Sequence, residues 1–257
     1  MPLTTETRDA ISAYLKKELN RYITEAKIAG DIRDLMPFHA RLLPPLFKVK
    51  LSERSFSTRS GGWFQVIALM VAQQFHPVAQ LQHDVEGRIQ TSPLAQIDMI
   101  LEQMDKGRPK RKPSRVKDTD DVRNNQASGG VDRLVRADLY VRTAAGQEWY
   151  FEMKTPQPNK GQCKEMKRFI LLVAALRYET RGEAFAAMAY NPLGDGQPIR
   201  DGKIKQFLEP GTDILMGRQF WTKIGEASTY DDLLDISEQV GQSFESLLIS
   251  EGIVEAP

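Results

Sequence analysis

Apolar residues recur at helical spacing along several stretches of the chain. Ile11, Leu15, Leu19 and Ile23 lie four apart and predict a helix over Thr5 to Ala29, stopped by Gly30. Phe64, Ile67, Ala68 and Val71 predict a second over Trp63 to Phe75, entered through Ser60-Gly61-Gly62. A third runs from Pro93 to Met104, and a fourth from Gln162 to Arg177 on Met166, Ile170, Val173 and Ala174. Ile214 to Ile224 and Asp231 to Ile249 read as final helical cover, and Ala184 to Tyr190 as a short apolar strand. Pro37, Pro44 and Pro45 bracket an irregular stretch.

Two runs break from this period. Leu134 to Arg142 and Glu148 to Lys154 alternate polar and apolar residues, with Ala144-Ala145-Gly146-Gln147 between them, which predicts a β-hairpin. Pairing about that turn sets Tyr140 opposite Tyr150 and Asp138 opposite Glu152. Asp138, Glu152 and Lys154 then share one face, while Val135, Ala137, Leu139, Val141, Trp149, Phe151 and Met153 share the other, which buries itself. Hairpin, helix and strand in that order imply an α/β fold, a mixed sheet flanked by helices with helical additions at both ends. The expected layout is one domain over 1–257: a mainly helical part over 1–105, a basic mobile loop over 106–130, and a catalytic core with C-terminal helices over 131–257.

Composition narrows the class only slightly. With 41% apolar and 27% charged residues, the chain is ordinary for a soluble globular protein. No apolar run approaches the roughly 20 residues of a membrane span, and the start lacks the basic residues of a secretory signal. One cysteine suits a reducing cytoplasm, and so few cysteines and histidines argue against a structural zinc site. A net charge of +1 hides a segregation: Lys106 to Lys117 carries seven cations and no acid, whereas Tyr230 to Glu255 is acid-rich. Such a basic run is either a solvated loop or a patch for a polyanion.

An Asp on one strand and Glu-x-Lys on its neighbour suit metal-assisted phosphodiester hydrolysis. Hard carboxylate oxygens, here Asp138 and Glu152 with the Met153 carbonyl, can hold Mg²⁺. The ion polarises the phosphate and acidifies a bound water, and an ammonium such as Lys154 orients that water or steadies developing charge. Glu-x-Lys alone is more simply a solvent-facing ion pair. Asp138 directly opposite changes the balance, because two facing carboxylates repel unless something neutralises them.

Ala137-Asp138 followed by Glu152-Met153-Lys154 resembles the PD-(D/E)XK nuclease pattern. The string Phe151-Glu-Met-Lys-Thr-Pro-Gln-Pro-Asn-Lys-Gly-Gln162 is similar to the catalytic segment of the TdeIII-type type II restriction endonucleases. Pro37 to Pro44, Ser55 to Gly61, Gly217 to Trp221 and Thr229 to Leu234 resemble blocks of the same family. The resemblance implies a Mg²⁺-dependent homodimer that cuts double-stranded DNA at a short, GC-rich, near-palindromic site of GGNCC type. A cognate DNA methyltransferase would be its functional partner. Asp138 and Glu152 become metal ligands and Lys154 the catalytic lysine. On this resemblance a supplementary helix glutamate of such sites is replaced here by Gln65, which leaves one metal or two open. Two rivals stand beside this reading: a structure-specific or repair nuclease with the same core, and a DNA-binding module without catalysis.

Candidate DNA contacts are Lys110, Arg111, Lys112 and Arg115 in the basic run and Lys160, Lys164 and Lys167 after the hairpin, with Lys164 and Lys167 positioning the backbone rather than reading bases and Lys160 near the scissile strand or an adjacent phosphate. Asn159 is a further neighbour of the scissile strand. Ser60 either caps a helix or, with Ser55 to Arg59, contacts phosphate. His76 and His83, separated by Pro77, read as packed or surface residues, and His39 as packed, DNA-facing or catalytic. Cys163, near a helix start among lysines, should have a lowered pKa but has no base to serve it.

Overall fold

A computed structural model describes residues 1–25, 42, 53–107, 110–125 and 129–250, except the side chains of 23–25, 53–59 and 245–250. The chain forms two compact units, Met1–Phe75 with Trp221–Pro257, and His76–Phe220. The hairpin lies wholly in the second. There a five-stranded mixed sheet runs in the order β1 (Val78–Ile89), β2 (Val131–Arg142), β3 (Glu148–Met153), β4 (Glu183–Met188) and β5 (Ile214–Met216). β1 pairs antiparallel with β2 and β2 with β3, whereas β3, β4 and β5 run parallel.

The hairpin has the expected register, with Tyr140 opposite Tyr150 and Leu139 opposite Phe151. Its five-residue connection, Thr143 to Gln147, places Gly146 at φ +79, the left-handed conformation glycine adopts without strain, while the Thr143 and Gln147 backbones close the turn. Ala137, Leu139, Val141, Trp149, Phe151 and Met153 are buried as the alternation requires. Phe151 packs on Phe185 and Phe220, ring centroids 5.4 and 5.6 Å away. Tyr140 and Tyr150 are buried too, although they alternate with the greasy set. The opposite face is therefore not open along its length.

β1 lies inside the stretch expected to be mainly helical. It carries Gln80, Gln82, Glu86 and Arg88 exposed at alternate positions, with Leu81, Val85 and Ile89 between them, so it alternates as an edge strand does, a signal the helical expectation passed over. His83 stacks on Tyr140 at 4.1 Å, and His76 meets the Trp149 ring edge-on at 5.4 Å. Two further differences concern the same unit. Ile214–Met216 is a strand, not helix: three apolar residues pair with β4, and Gly217 at φ +53 turns the chain. The segment 106–130 holds a helix, Arg115–Arg123, instead of being loop throughout.

The helices are numbered here in chain order: α1 (Thr5–Glu25), α2 (Glu53–Phe75), α3 (Thr91–Asp105), α4 (Arg115–Arg123), α5 (Lys160–Leu176), α6 (Gly202–Phe207), α7 (Arg218–Ile224) and α8 (Thr229–Ser250). In the first unit α1 buries Ile11, Leu15 and Leu19, and α2 buries Phe64, Ile67, Ala68 and Val71. α2 runs straight through Ser60-Gly61-Gly62, so Ser60 is a buried helix residue and not a cap. Two mid-helix glycines cost roughly 2 kcal/mol against alanine, which the burial of Trp63, Phe64 and Ile67 more than offsets. At the start of α8, Asp232 accepts from the Leu3 amide and pairs with Arg8.

α5 buries the expected Met166, Ile170, Val173 and Ala174, and with them Cys163 and Lys167. The Lys167 ammonium lies 2.7 Å from both Asp118 of α4 and Asp213 before β5, and none of the three side chains is exposed. Asp118 also accepts from Arg111 and from the Ser114 amide. Arg115 donates to the Ala184 and Thr212 carbonyls, approaches Asp213 to 3.6 Å, and stacks over Phe185. Lys167, Arg111 and Arg115, expected on DNA, are thus spent on tying α4 and α5 to the sheet. The acids that claim them, Asp118 and Asp121 in particular, follow the basic run directly in sequence.

Removing one partner from such a buried group strands the others without solvent. Lys167→Met should destabilise the fold by roughly 3–5 kcal/mol, read as a lowered urea midpoint; a change under about 1 kcal/mol would contradict the network. Burial also pushes the Cys163 thiol up to about 11 rather than down. Iodoacetamide at neutral pH should leave Cys163 unmodified in the native protein and alkylate it only after denaturation, as mass spectrometry will show.

Candidate active site

The site forms where β2 and β3 stop pairing. Beyond Leu139↔Phe151, the Met153 amide donates to Asp138 Oδ2 at 2.7 Å. One residue past the end of β3, the Lys154 amide continues the parallel ladder by donating to the Ala187 carbonyl at 3.0 Å. Both neighbouring strands therefore hold the backbone between Glu152 and Lys154. The side chains of Glu152 and Lys154 meet at 2.5 Å and are only 18% and 28% exposed, far from the free surface pair the tripeptide alone suggests. Asp138, Glu152 and Lys154 are thus brought together.

Burial raises the Glu152 carboxyl above its usual range, assisted by the charges of Asp138 and Glu165, and the Lys154 hydrogen bond only partly opposes this. Lys154 is also raised: burial works against its charge, but the hydrogen bond and charge of Glu152, then Asp138 and Glu165, outweigh burial. Two carboxylates and one ammonium in a half-buried setting thus lack a counter-charge. The donor set suits a hard divalent cation that keeps some of its waters, since such an ion needs only one or two carboxylates. Each Asp138 oxygen accepts one N–H and retains a lone pair, and Glu152 has a second oxygen beyond its Lys154 contact. Among the described residues no three Asp, Glu, His or Cys side chains already converge as a cage.

Two residues near this point were not anticipated. Gln82 of β1 donates to Asp138 Oδ1 at 3.2 Å. Glu165, exposed on α5, lies close enough to raise both Glu152 and Lys154. Its only sequence signal is an acid among the cations of Lys160 to Arg168. For Gln82 the signal is the alternation of Gln80, Gln82, Asp84, Glu86 and Arg88 with Leu81, Val85 and Ile89, which marks a strand.

The remaining candidates divide. Asn159 is the N-cap of α5, in a reciprocal capping box with Gln162 at 2.9 and 2.8 Å, so its side chain sets the start of the helix. Lys160 and Lys164 are 51% and 36% exposed, and both lean on Asp105, whose carboxyl the Lys160 and Lys164 hydrogen bonds hold low. Lys110 and Lys112 are exposed. Gln65 stands half-buried on α2 of the other unit. His39 and the side chains of Ser55 to Arg59 fall outside the described residues.

Comparison with known proteins agrees with this chemistry. A family model described as type II restriction endonuclease HinfI matches residues 3–241. Three type II restriction enzymes of Herpetosiphon aurantiacus are similar. HgiEI is 34% identical over 230 residues, covering 88% of this chain and 83% of its own length. HgiCII is 35% identical over 223 residues, with coverages of 85% and 81%. HgiBI is 34% identical over 247 residues, with coverages of 93% and 90%. No solved structure matches. No helix among the described residues is long and apolar enough to cross a membrane. The restriction-endonuclease resemblance of the sequence blocks is borne out, with HinfI as the matching model: the chain belongs to the HinfI family of type II restriction endonucleases, enzymes whose substrate is DNA.

Proposed function

We propose that this enzyme hydrolyses phosphodiester bonds in both strands of DNA at a short, GC-rich, near-palindromic site of GGNCC type. The products are 5′-phosphate and 3′-hydroxyl ends, and Mg²⁺ is the cofactor. The observation that carries the chemistry is the half-buried grouping of Asp138, Glu152 and Lys154 at the exit of β3. The GGNCC site rests on the resemblance of the Phe151 to Gln162 string and its flanking blocks.

Asp138 and Glu152 would hold the cation with the Met153 carbonyl. Bound there, Mg²⁺ supplies Lewis acidity to the phosphate and acidity to a coordinated water. Lys154, kept protonated by its acidic neighbours, lies where it can orient the attacking water or stabilise charge on the phosphate. Lys110, Lys112, Lys160 and Lys164 are the cations left to meet the DNA backbone. A near-palindromic target calls for a two-fold symmetric protein, hence a homodimer. A cytoplasmic enzyme of this kind needs a cognate methyltransferase to mask the same site in its own genome.

With unmethylated phage DNA and Mg²⁺, the purified protein should yield discrete fragments, and none in chelator. Random nicking or branch-specific cutting would favour a repair nuclease, and binding without cutting in Mg²⁺ or Mn²⁺ would sink the enzymatic reading. Asp138→Asn and Glu152→Gln should abolish cleavage, and Lys154→Met should slow it by roughly 10²–10³-fold, all with DNA binding largely kept. Full activity in any of them would remove that residue from the site.

Burial gives the rate a pH signature as well. Glu152 holds a cation only when ionised, and its folded pKa is raised, so cleavage should fall as pH drops through that raised value. The loss begins at higher pH than an ordinary glutamate, near 4.5, would give. Because a bound cation favours the carboxylate, added Mg²⁺ should shift this acid limb to lower pH. A limb indifferent to Mg²⁺ would assign the titration to another group.

A further inference from the structure

We propose that Gln82 is a positioning residue of this site: its side-chain amide fixes the Asp138 carboxylate in the orientation that receives a divalent cation. The inference rests on the reading of Asp138 as a metal ligand. Its grounds lie in β1. The β1–β2 register is continuous on both sides, with Leu81↔Leu139 and His83↔Ala137, yet the rung between them is missing. At that rung Gln82 adopts φ +51, a left-handed conformation a non-glycine residue adopts only at a cost of about 1 kcal/mol or more. No residue is inserted, so the distortion does not correct the register. It coincides instead with the contact of Gln82 Nε2 to Asp138 Oδ1 at 3.2 Å, while the Met153 amide takes Oδ2 at 2.7 Å.

Two donors on the two oxygens fix the plane of the carboxylate, and both are neutral. An arginine or lysine in place of Gln82 would orient Asp138 equally well but would cancel the charge that attracts a cation. An amide orients without neutralising, and leaves a lone pair on each oxygen. A bend needed only for strand shape would be met by glycine without strain. Such supporting partners of metal ligands commonly carry 10–100-fold of metal affinity.

The test separates strain from the amide. Gln82→Gly relieves the left-handed backbone, so in chelator its Tm should equal or exceed that of the parent protein, with DNA binding unchanged. The Mg²⁺ concentration giving half of the metal-induced rise in Tm, and that giving half-maximal cleavage, should both rise about tenfold. Gln82→Leu keeps the strained backbone and bulk but removes the amide, and should show the same Mg²⁺ shifts. Mg²⁺ dependence unaltered in either variant would overturn the proposal, because either loses the amide. Should Asp138→Asn itself cleave with the parent's Mg²⁺ dependence, the assignment of the site fails instead, which the Gln82 variants alone cannot mimic.

Discussion

At the end of the β2–β3 hairpin, a backbone amide that would ordinarily complete a ladder rung donates to a side chain. The Met153 N–H bonds the Asp138 carboxylate at 2.7 Å. A hydrogen bond to an ionised acceptor is roughly twice as strong as a neutral one, and this one ties side-chain position to strand register. A one-residue slip of β2 against β3 would move Asp138 to the face opposite Glu152 and Lys154. The turn at Gly146, the rungs down to Leu139↔Phe151 and the aromatic packing of Phe151 all act through that link to put the carboxylates and the ammonium at one place. On the other side of β3, the Lys154–Ala187 bond prevents the chain from peeling away once the antiparallel pairing ends.

The scaffold behind the site uses charge in a different way. Lys167 between Asp118 and Asp213, with Arg111 and Arg115 alongside, joins α4, α5 and the approach to β5 by bonds no apolar contact could direct so narrowly. Desolvating these groups is costly, and the net gain over a well-packed apolar core is small. What the network supplies is geometry. It fixes α5, whose first turn begins six residues after Lys154, and the capping box of Asn159 and Gln162 fixes that turn in the other direction. The Thr155 to Asn159 segment is thereby held at both ends.

Much of this was readable from the residues. Alternation in two short runs fixed the hairpin and its register, because burying one face leaves only one pairing. The α5 stripe was readable for the same reason. β1 carries the same alternation from Gln80 to Ile89, but it lies inside a stretch expected to be helical, and Gln82 was missed with it. Cations were misjudged where charge was weighed ahead of position. Lys167 stands four residues after Cys163 on the stripe that continues to Ile170, so its spacing pointed inward while its charge pointed out. Asp213, its distant partner in the network, lies 46 residues away and no local pattern links them.

The site's own charge has a consequence for how substrate and cation bind. Asp138, Glu152 and Glu165 outnumber a single ammonium, Lys154: burial raises Glu152 first and the neighbouring acids add to it, while the Glu152 hydrogen bond and the acid charges raise Lys154 against its burial. A phosphodiester brought there alone would meet repulsion, of order 1 kcal/mol per charge pair at 4 Å even at the dielectric of water and more in a half-buried setting. A divalent cation lowers that repulsion, and the phosphate in turn adds an oxygen ligand for the cation. By linkage each must tighten the other to the same degree. The attraction that brings DNA to the protein has to come from elsewhere, and the exposed cations Lys110, Lys112, Lys160 and Lys164 can supply it at a distance. Backbone attraction and metal-dependent engagement are in this arrangement two separable steps, one screened by salt and the other set by the carboxylates.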